Sequence, residues 1–597
     1  MDNSNLVRSL IPELFSKGVP FATALRRTFA QGYNLTSLRH DLLAGVVVGI
    51  VALPLSMALA IAVGVAPQHG LYTAIVAGSI VALAGGSKHQ VTGPTAAFVV
   101  ILAPIVTRYG LSGLLTAGLM AGVLLVVMGL ARFGKLIQFI PHPVTTGFTA
   151  GIALVIASLQ LKDVFALQLT STPDAYLERM HAFWLARRSA SLPDFGVAVA
   201  TLSLLLLLPR KWPRLASRLP APLLVLALIS VCAELLTHWR PEFRVVTIAS
   251  RFQTTVDGQV VRGIPGVLPR FEVPWGEAGL SLATFRELAS AAFAIAMLGA
   301  IESLLSAVIA DGMTGKKHDP DAELVALGVG NICASFFGGI AATGALARTA
   351  TNVRAGARSP VAAATHSLVV LLAVLLLAPL LGHVPMAALA ALLLLVAWNM
   401  SEIGHALTVI RIAPRSDVFV LLICFFLTVI FDMVVAVGVG VVLASFLFMR
   451  RTAELTRSRI FQSDDTDAGR ALPAGVTLYE IAGPLFFGAA QNAMGALGAI
   501  NAQGVIVLSL AQVPSIDATG LVALESALVR AGKSKQRVVL AGPLPEPRAV
   551  FERAELPRRH AHVVVCSTLE EAIALAGELA AGPSSASAPR SAKGAET

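Results

Sequence analysis

Between Leu42 and Met449 the chain is a succession of apolar runs, several of them long enough to cross the roughly 30 Å of hydrocarbon in a bilayer. In lipid every backbone N–H and C=O must find a partner inside the protein, so such runs can only be helices. With 56% hydrophobic and 13% charged residues, the composition excludes an ordinary soluble protein. Fourteen spans fit, at 42–64, 70–85, 93–107, 111–131, 143–162, 194–209, 220–238, 287–310, 323–337, 344–356, 361–382, 385–400, 416–430 and 432–449. The third and tenth fall short of the roughly 20 residues a crossing needs. Their broken backbone is tolerable only inside the protein or along a cavity.

Both short spans begin alike. Gly85-Gly86 leads to Thr92-Gly93-Pro94-Thr95-Ala96, and Gly338-Gly339 leads to Thr343-Gly344-Ala345-Leu346-Ala347. Thr-Gly reads as an N-cap followed by a flexible entry, and the open N–H groups of such a start attract anions. Paired interrupted segments in two halves point to a transporter's binding site. Pro241 to Arg286 separates the two sets of seven spans as an extracytoplasmic loop, and an odd number per half requires the second half to be inverted.

The net charge of +10 is not a nucleic-acid signal. Arg26, Arg27 and Arg39, then Arg132 and Lys135, Arg210 to Arg218, Lys316 and Lys317, Arg354 and Arg358, Arg411 and Arg415, and Arg450 and Arg451 all fall on the cytoplasmic side, given 14 spans and a cytoplasmic N-terminus. Cys232, Cys333, Cys424 and Cys566 form neither a disulfide framework nor a metal site and read as small buried side chains. No signal peptide is read in the first 40 residues. After Arg451, strands over Val476–Ile481, Gly504–Leu510, Arg537–Ala541 and His562–Val565 alternate with helical segments. This is a small cytosolic α/β domain, and the Ser-, Ala- and Pro-rich end reads as disordered.

Several blocks resemble the sulfate permease (SulP) anion transporters that carry a C-terminal STAS domain. They are Asp41 to Gly45, Gly70 to Ala74, Glu302 to Gly315, Thr343 to Gly356 and Asp517 to Gly520. Pro67 to Ala74, Gly129 to Gly134 and Val396 to Glu402 are similar to the family's C4-dicarboxylic acid transporters. The resemblance implies a 7+7 inverted repeat of core and gate domains, the UraA-like arrangement, moving as an elevator. It also implies a homodimer in the bacterial inner membrane, with both termini and the STAS domain cytoplasmic and the STAS domain's own cytosolic partner unknown. The expected domains are a cytoplasmic segment over 1–40 and a transporter over 41–450. Within the transporter, 41–133 and 287–382 are core, and 141–240 and 385–450 are gate. A linker over 451–474, STAS over 475–580 and a tail over 581–597 follow.

Arg348, one turn into the second short span, carries a charge it cannot shed and can hold carboxylate or sulfate oxygens through two parallel hydrogen bonds. The structural alternative is an arginine paired inside the bundle, and the family resemblance supports the binding role. Thr95, Ala96 and Ala97, with Ala345, Leu346 and Ala347, would offer backbone N–H groups, although small residues also serve close helix packing. Ser56 and Met57, beyond the Pro54 break, are placed on the same cavity. Glu302 sits mid-helix among apolar residues, where a carboxylate is costly unless paired or protonated. Loading a proton there with a dianion would lower the charge moved; pairing with Arg348 is the alternative. Sodium-using family members place a carboxylate and a hydroxyl on this helix, which Glu302 and Ser306 could supply.

Sulfate-type members often have Gln and Tyr where this chain has Leu55 and Leu59, which favours a substrate with a carbon skeleton. The reading is therefore proton-coupled uptake of a C4-dicarboxylate, with sulfate or bicarbonate, coupled to protons or sodium, as the alternative. A sensor relaying through the STAS domain and a channel are the rivals from other classes. His69, His89, His142, His318 and His383 read as solvated or capping residues, and Asp311, Asp319 and Asp321 as a solvated turn. Asp432 either starts the last span or marks a gate contact. Thr519 matches the position that is phosphorylated in anti-sigma-antagonist STAS proteins, with helix capping as its other role. No Walker A, HExxH or GxSxG pattern occurs, so no enzyme, metal or cofactor is expected.

Overall fold

The computed structural model describes residues 20–581 apart from 136–140, 170–171, 213, 215–219, 241, 257, 277–278, 280, 432, 462–471 and 499–503. Asp432 and the tail over 582–597 lie outside these residues. The chain divides at Val442 and Leu443 into two compact units.

In the first unit a short helix α1 (Thr23–Ala30), within the segment expected to be a plain cytoplasmic lead, precedes α2 (Leu35–Val63) and α3 (Pro67–Ala84). A two-residue strand β1 (Thr92–Gly93) leads into α4 (Ala96–Leu130), which is broken at Gly110, where φ is 67°. Then come α5 (His142–Val164), α6 (Tyr176–Ala186), α7 (Leu192–Lys211) and α8 (Ala221–Trp239). The connecting loop holds α9 (Ile248–Arg251) and a hairpin of β2 (Gln253–Val256) and β3 (Gln259–Arg262). The second half follows with α10 (Leu282–Thr314), α11 (Pro320–Phe336), β4 (Thr343–Gly344), α12 (Leu346–Arg354) and α13 (Val361–Leu381). It closes with α14 (Met386–Ser401), α15 (Ile403–Ile412), α16 (Arg415–Ile430) and α17 (Met433–Leu455). At nine residues α12 is roughly 14 Å long, less than half a bilayer crossing.

Packing sorts these helices into two groups. In one, α2 lies against α3 and α13, α3 and α4 against α11, and α10 against α4 and α12. In the other, α5 lies against α14 and α16, and α7 against α8 and α14. Small residues set the closest crossings: at α4 and α11, Gly122 and Gly328 face each other. Asp41 fastens the start of α2 to the loop before α13. Its carboxylate accepts from the backbone N–H groups of Arg358 (2.6 Å) and Ser359 (3.2 Å), the Ser359 hydroxyl and the Tyr33 hydroxyl (2.8 Å). Burial and that hydrogen bond push the Tyr33 phenol up to about 12.

The second unit is a five-stranded sheet in the order β5 (Arg457–Phe461), β6 (Val476–Ala482), β7 (Val505–Gln512), β8 (Arg537–Ala541), β9 (Val563–Cys566). All neighbours are parallel except β5 and β6. Alternation divides its side chains between two cores, Ile506, Leu508 and Leu540 on one face and Val505, Val507 and Val539 on the other. The edge strand β5 occupies the segment expected to be a linker. Its largely exposed Arg-Ser-Arg-Ile-Phe pattern lacks the buried run that marks the inner strands.

An added Cβ at Gly328 would lie 2.5 Å from the Gly122 carbonyl oxygen and 2.7 Å from the backbone nitrogen of Val126. Gly328→Val should force α4 and α11 apart and cost about 1–3 kcal/mol of overpacking. Thermal unfolding of the purified variant would show a lowered midpoint; an unchanged midpoint would contradict the tight crossing.

Candidate functional site

The two short helices are presented by a crossing of backbone. Strands β1 and β4 pair antiparallel, with Thr92 opposite Gly344 and Gly93 opposite Thr343. The Ala345 N–H adds a bond to the Val91 carbonyl at 2.8 Å. Glycine is required by the closeness of approach. A Cβ at Gly344 would overlap the Gln90 side chain and sit 3.0 Å from the Cα of Ser303, and one at Gly93 would overlap the Arg348 guanidinium.

The Thr-Gly pairs are therefore not helix caps. Thr95 and Ala345 occupy the N-cap positions of α4 and α12, and neither start carries a side-chain cap. The reason is that Thr92 and Thr343 are extended and committed to the strand pair. The Thr343 hydroxyl instead donates to the Gly299 carbonyl at 2.9 Å. The first N–H groups of both helices are thus left without the side-chain acceptors that helix starts ordinarily recruit.

Helix α10 fastens both starts with one stripe of residues. The Thr95 hydroxyl donates to Glu302 at 2.9 Å, Gln90 donates to Ser303 at 2.5 Å, and Ser306 donates to Thr349 at 3.0 Å. The spacing of Gly299, Glu302, Ser303 and Ser306 puts them on one helix face. Ser306 is thus tied to α12 while it shares a helix face with Glu302.

Arg348 is 1% exposed, and its Nη2 donates to the Pro94 carbonyl, so the second half reaches across to the first. Nε and Nη1 have no hydrogen-bond partner among the described residues. Glu302 forms no ion pair with it, and Thr95 is the one hydrogen-bond partner of Glu302 among the described residues. The pairing alternative is not what this structure contains. Ala96, Ala97 and Ala345 are buried, Thr95 and Glu302 are partly buried, and Leu346 and Ala347 at the start of α12 are exposed.

Ser56 and Met57 are fully buried, and the Ser56 carbonyl packs against Gly70 of α3. The Ser56 hydroxyl has no hydrogen-bond partner among the described residues. Leu59 is likewise buried, while Leu55 is partly exposed. A cavity of about 920 Å³ lies between the groups at the Gly64 end of α2, lined by Val99 and Ala103 of α4 together with Arg108, Lys162, Asp163 and Arg251. Arg108 pairs there with Asp174 at 3.4 Å and Arg251 with Asp163 at 2.5 Å.

His142 and His383 are exposed, as a solvated reading expects, whereas His69, His89, His318 and the acidic turn are more engaged. His69 Nδ1 lies 2.7 Å from the Gly338 carbonyl, and His318 Nδ1 lies 2.7 Å from Asp311. His383 pairs with Glu234 at 3.4 Å, and the His142 ring centroid is 5.0 Å from that of His405. His89 is buried. Asp319 caps α11, and Asp321 accepts from the Gly134 N–H at 3.0 Å. Of the cysteines, Cys424 and Cys566 are buried but Cys232 is exposed on α8. In the sheet unit Asp517, not Thr519, caps the helix over Ala518–Lys533, accepting from the Gly520 N–H at 2.6 Å, and Thr519 is exposed.

Three polar residues that sequence reasoning passed over complete the frame: Gln90, Thr349 and Asn331. Asn331 donates to the Ala342 carbonyl at 3.0 Å and accepts from the Ala342 N–H at 2.7 Å. The signal for it was an amide inside the apolar run from Leu324 to Cys333, since intramembrane polar groups are seldom idle.

Residues 38–424 match the sulfate permease family and residues 472–572 the STAS domain. The chain belongs to the sulfate permease family. It is 39% identical to the "Putative sulfate transporter YvdB" of Bacillus subtilis, covering 88% of this chain and 95% of that one. It is 26% identical to the bicarbonate transporter BicA of Picosynechococcus sp., covering 88% and 92%. The fold matches murine Slc26a9, an anion transporter solved in the inward-facing state, with a TM-score of 0.80 at 18% identity, covering 93% and 94%. This SulP member is a multi-pass helical anion transporter with a C-terminal STAS domain.

Replacing Thr95 by valine removes the hydroxyl that meets Glu302. Thr95→Val should cost about 1–3 kcal/mol in thermal or denaturant unfolding, the usual penalty for orphaning a buried polar group. Glu302→Gln combined with Thr95→Val should cost less than the sum of the two changes, and strict additivity would rule out the contact.

Proposed function

We propose that this SulP protein accumulates a small oxyanion, sulfate or bicarbonate, by secondary active transport coupled to protons. Arg348 carries the reading. A buried guanidinium with no counter-carboxylate and two unpartnered nitrogens among the described residues, set beside two uncapped helix starts, is matched by an anion and by little else. The exposed Leu346 and Ala347 leave access to the second start. Relatives named for sulfate and bicarbonate support the substrate class.

Glu302 supports proton coupling. Among the described residues no cation pairs with its carboxylate, and its hydrogen-bond partner Thr95 stands at the first helix start. A proton taken up there changes the charge of the site when the anion enters. In the sodium alternative Ser306, whose hydroxyl donates to Thr349, would offer its oxygen lone pairs beside Glu302. Movement of the site-bearing group α2–α4 and α10–α13 as a core, against α5–α8 and α14–α17 as a gate, would carry the anion across in an elevator. We place the termini and the STAS domain on the cytoplasmic side of a bacterial inner membrane, in a homodimer.

A second reading, C4-dicarboxylate uptake, rests on the similarity of Pro67–Ala74, Gly129–Gly134 and Val396–Glu402 to the transporter DauA. The argument from Leu55 and Leu59 rests mainly on Leu55, which is partly exposed, since Leu59 is buried.

Proteoliposomes loaded in turn with labelled sulfate, bicarbonate and succinate separate the readings. Sulfate or bicarbonate is expected to accumulate when an inward proton gradient is imposed, and succinate flux without either would transfer the assignment to the dicarboxylate. Glu302→Gln should retain counterflow while losing gradient-driven accumulation. Arg348→Gln should weaken anion binding by about 30-fold or more, the scale of losing one partner of a buried charge pair. Full gradient-driven accumulation by Glu302→Gln would refute the coupling role.

A further inference from the structure

At the end of the bundle where α3 finishes and α10 meets α11 lies a second cavity, of about 250 Å³, away from the helix starts. Its lining is strongly basic. Arg27 of α1, Lys88 from the loop after α3, and Lys316 and Lys317 from the turn after α10 all face it. One carboxylate lines it, Asp311, and that group is taken up by the His318 backbone N–H and ring at 3.1 and 2.7 Å. Among the described residues none of the four cations makes an ion pair.

Two imidazoles complete the wall. His89 is 4% exposed and neither of its ring nitrogens has a hydrogen-bond partner among the described residues; the outer nitrogen Nε2 of His318 has none either. A buried polar group without a partner is costly, and the N–H that the His89 imidazole carries, set against a basic cavity, points to a ligand that supplies an acceptor oxygen; with its Nδ1 donating to Asp311, His318 presents an acceptor at Nε2 and plays no part in this. Mutual repulsion points the same way. Burial, then the charges of Lys316 and Arg27, hold the Lys88 ammonium below its ordinary value. An anion placed among them would relieve that repulsion.

The surroundings are rigidly built. The Ala22 and Ala24 N–H groups donate to the Ala84 and Gly85 carbonyls, which docks α1 on the end of α3. Glu323 accepts from the Gly86 and Ser87 N–H groups at 2.8 and 3.0 Å and shapes the loop that carries Lys88 and His89. The His89 carbonyl accepts from Asn352 of α12 at 2.8 Å. A volume of about 250 Å³ is below the range of pockets for drug-sized ligands and suits a tetrahedral oxyanion with a few waters.

We propose that this cavity binds a phosphate-type oxyanion, either free or as the phosphomonoester headgroup of a lipid, held by Lys88, Lys316 and Arg27 and hydrogen-bonded by His89. None of these residues belongs to the helix-start site, so the proposal stands independently of the transported substrate.

The full-length protein in phosphatidylcholine nanodiscs is titrated with labelled inorganic phosphate; in a second arm, phosphatidylcholine vesicles containing phosphatidic acid are used and retained lipid is read by native mass spectrometry. Saturable binding in the first arm identifies a free-ion site, and binding in the second alone identifies a lipid headgroup site. The double variant Lys88→Gln, Lys316→Gln should weaken binding about tenfold or more, the loss of two charge-assisted hydrogen bonds. Lys88→Arg with Lys316→Arg should retain it and reports on correct folding. Absence of saturable binding in both arms, or binding indifferent to the glutamine variant, would overturn the proposal.

Discussion

Two helices that stop halfway through a bilayer leave backbone groups that lipid cannot satisfy, and everything around the site follows from how this chain deals with them. It does so by crossing the two interruptions. Thr92-Gly93 and Thr343-Gly344 pair as antiparallel strands, and the Val91 carbonyl takes the next N–H, that of Ala345. Asn331 closes the Ala342 backbone from the side. An antiparallel crossing of two equivalent segments is what an inverted repeat produces, since the halves run in opposite directions through the membrane.

The crossing makes Arg348 serve two ends. One arm of its guanidinium pins the Pro94 carbonyl of the opposite half, while Nε and Nη1 are uncommitted. A lysine could supply the charge but not both contacts, because its donors radiate from one point whereas a guanidinium spreads them across a planar fork. The absence of Glu302 from this arrangement matters equally. Had the two paired, the site would be neutral and internally satisfied; apart, the guanidinium has donors that an anion could take and the carboxylate is open to a proton.

Much of this was legible in the sequence, and what was not has a common cause. Span lengths, the shortness of the third and tenth, and the inner strands of the sheet unit depend on local hydrophobic runs, which one sequence displays directly. The role of Thr92 and Thr343 depends on a partner some 250 residues away, so their N-cap signature described a local option that the tertiary pairing overrode. Ser306 was matched to Glu302 by the family resemblance and helical spacing, and its further bond to Thr349 on a different helix was not legible there. His89 read as a solvated residue at a span end because nothing nearby reveals that α1 and the turn after α10 cover it. Strand β5 escaped notice because an edge strand needs no buried alternation.

The polar fastenings also explain how a site made of two half-helices could move without coming apart. Gly299, Glu302, Ser303 and Ser306 of α10 join Thr343, Thr95, Gln90 and Thr349, so one helix holds both starts and the loop before them. Each of those bonds, like that from Arg348 to Pro94, lies within the packing group of α2–α4 and α10–α13. Sliding this group past the other would break none of them. The buried hydrogen bonds that are expensive to lose would thus stay inside the body in such a movement, and the contacts left to shear would be those between groups, such as α2 with α14 and α4 with α5.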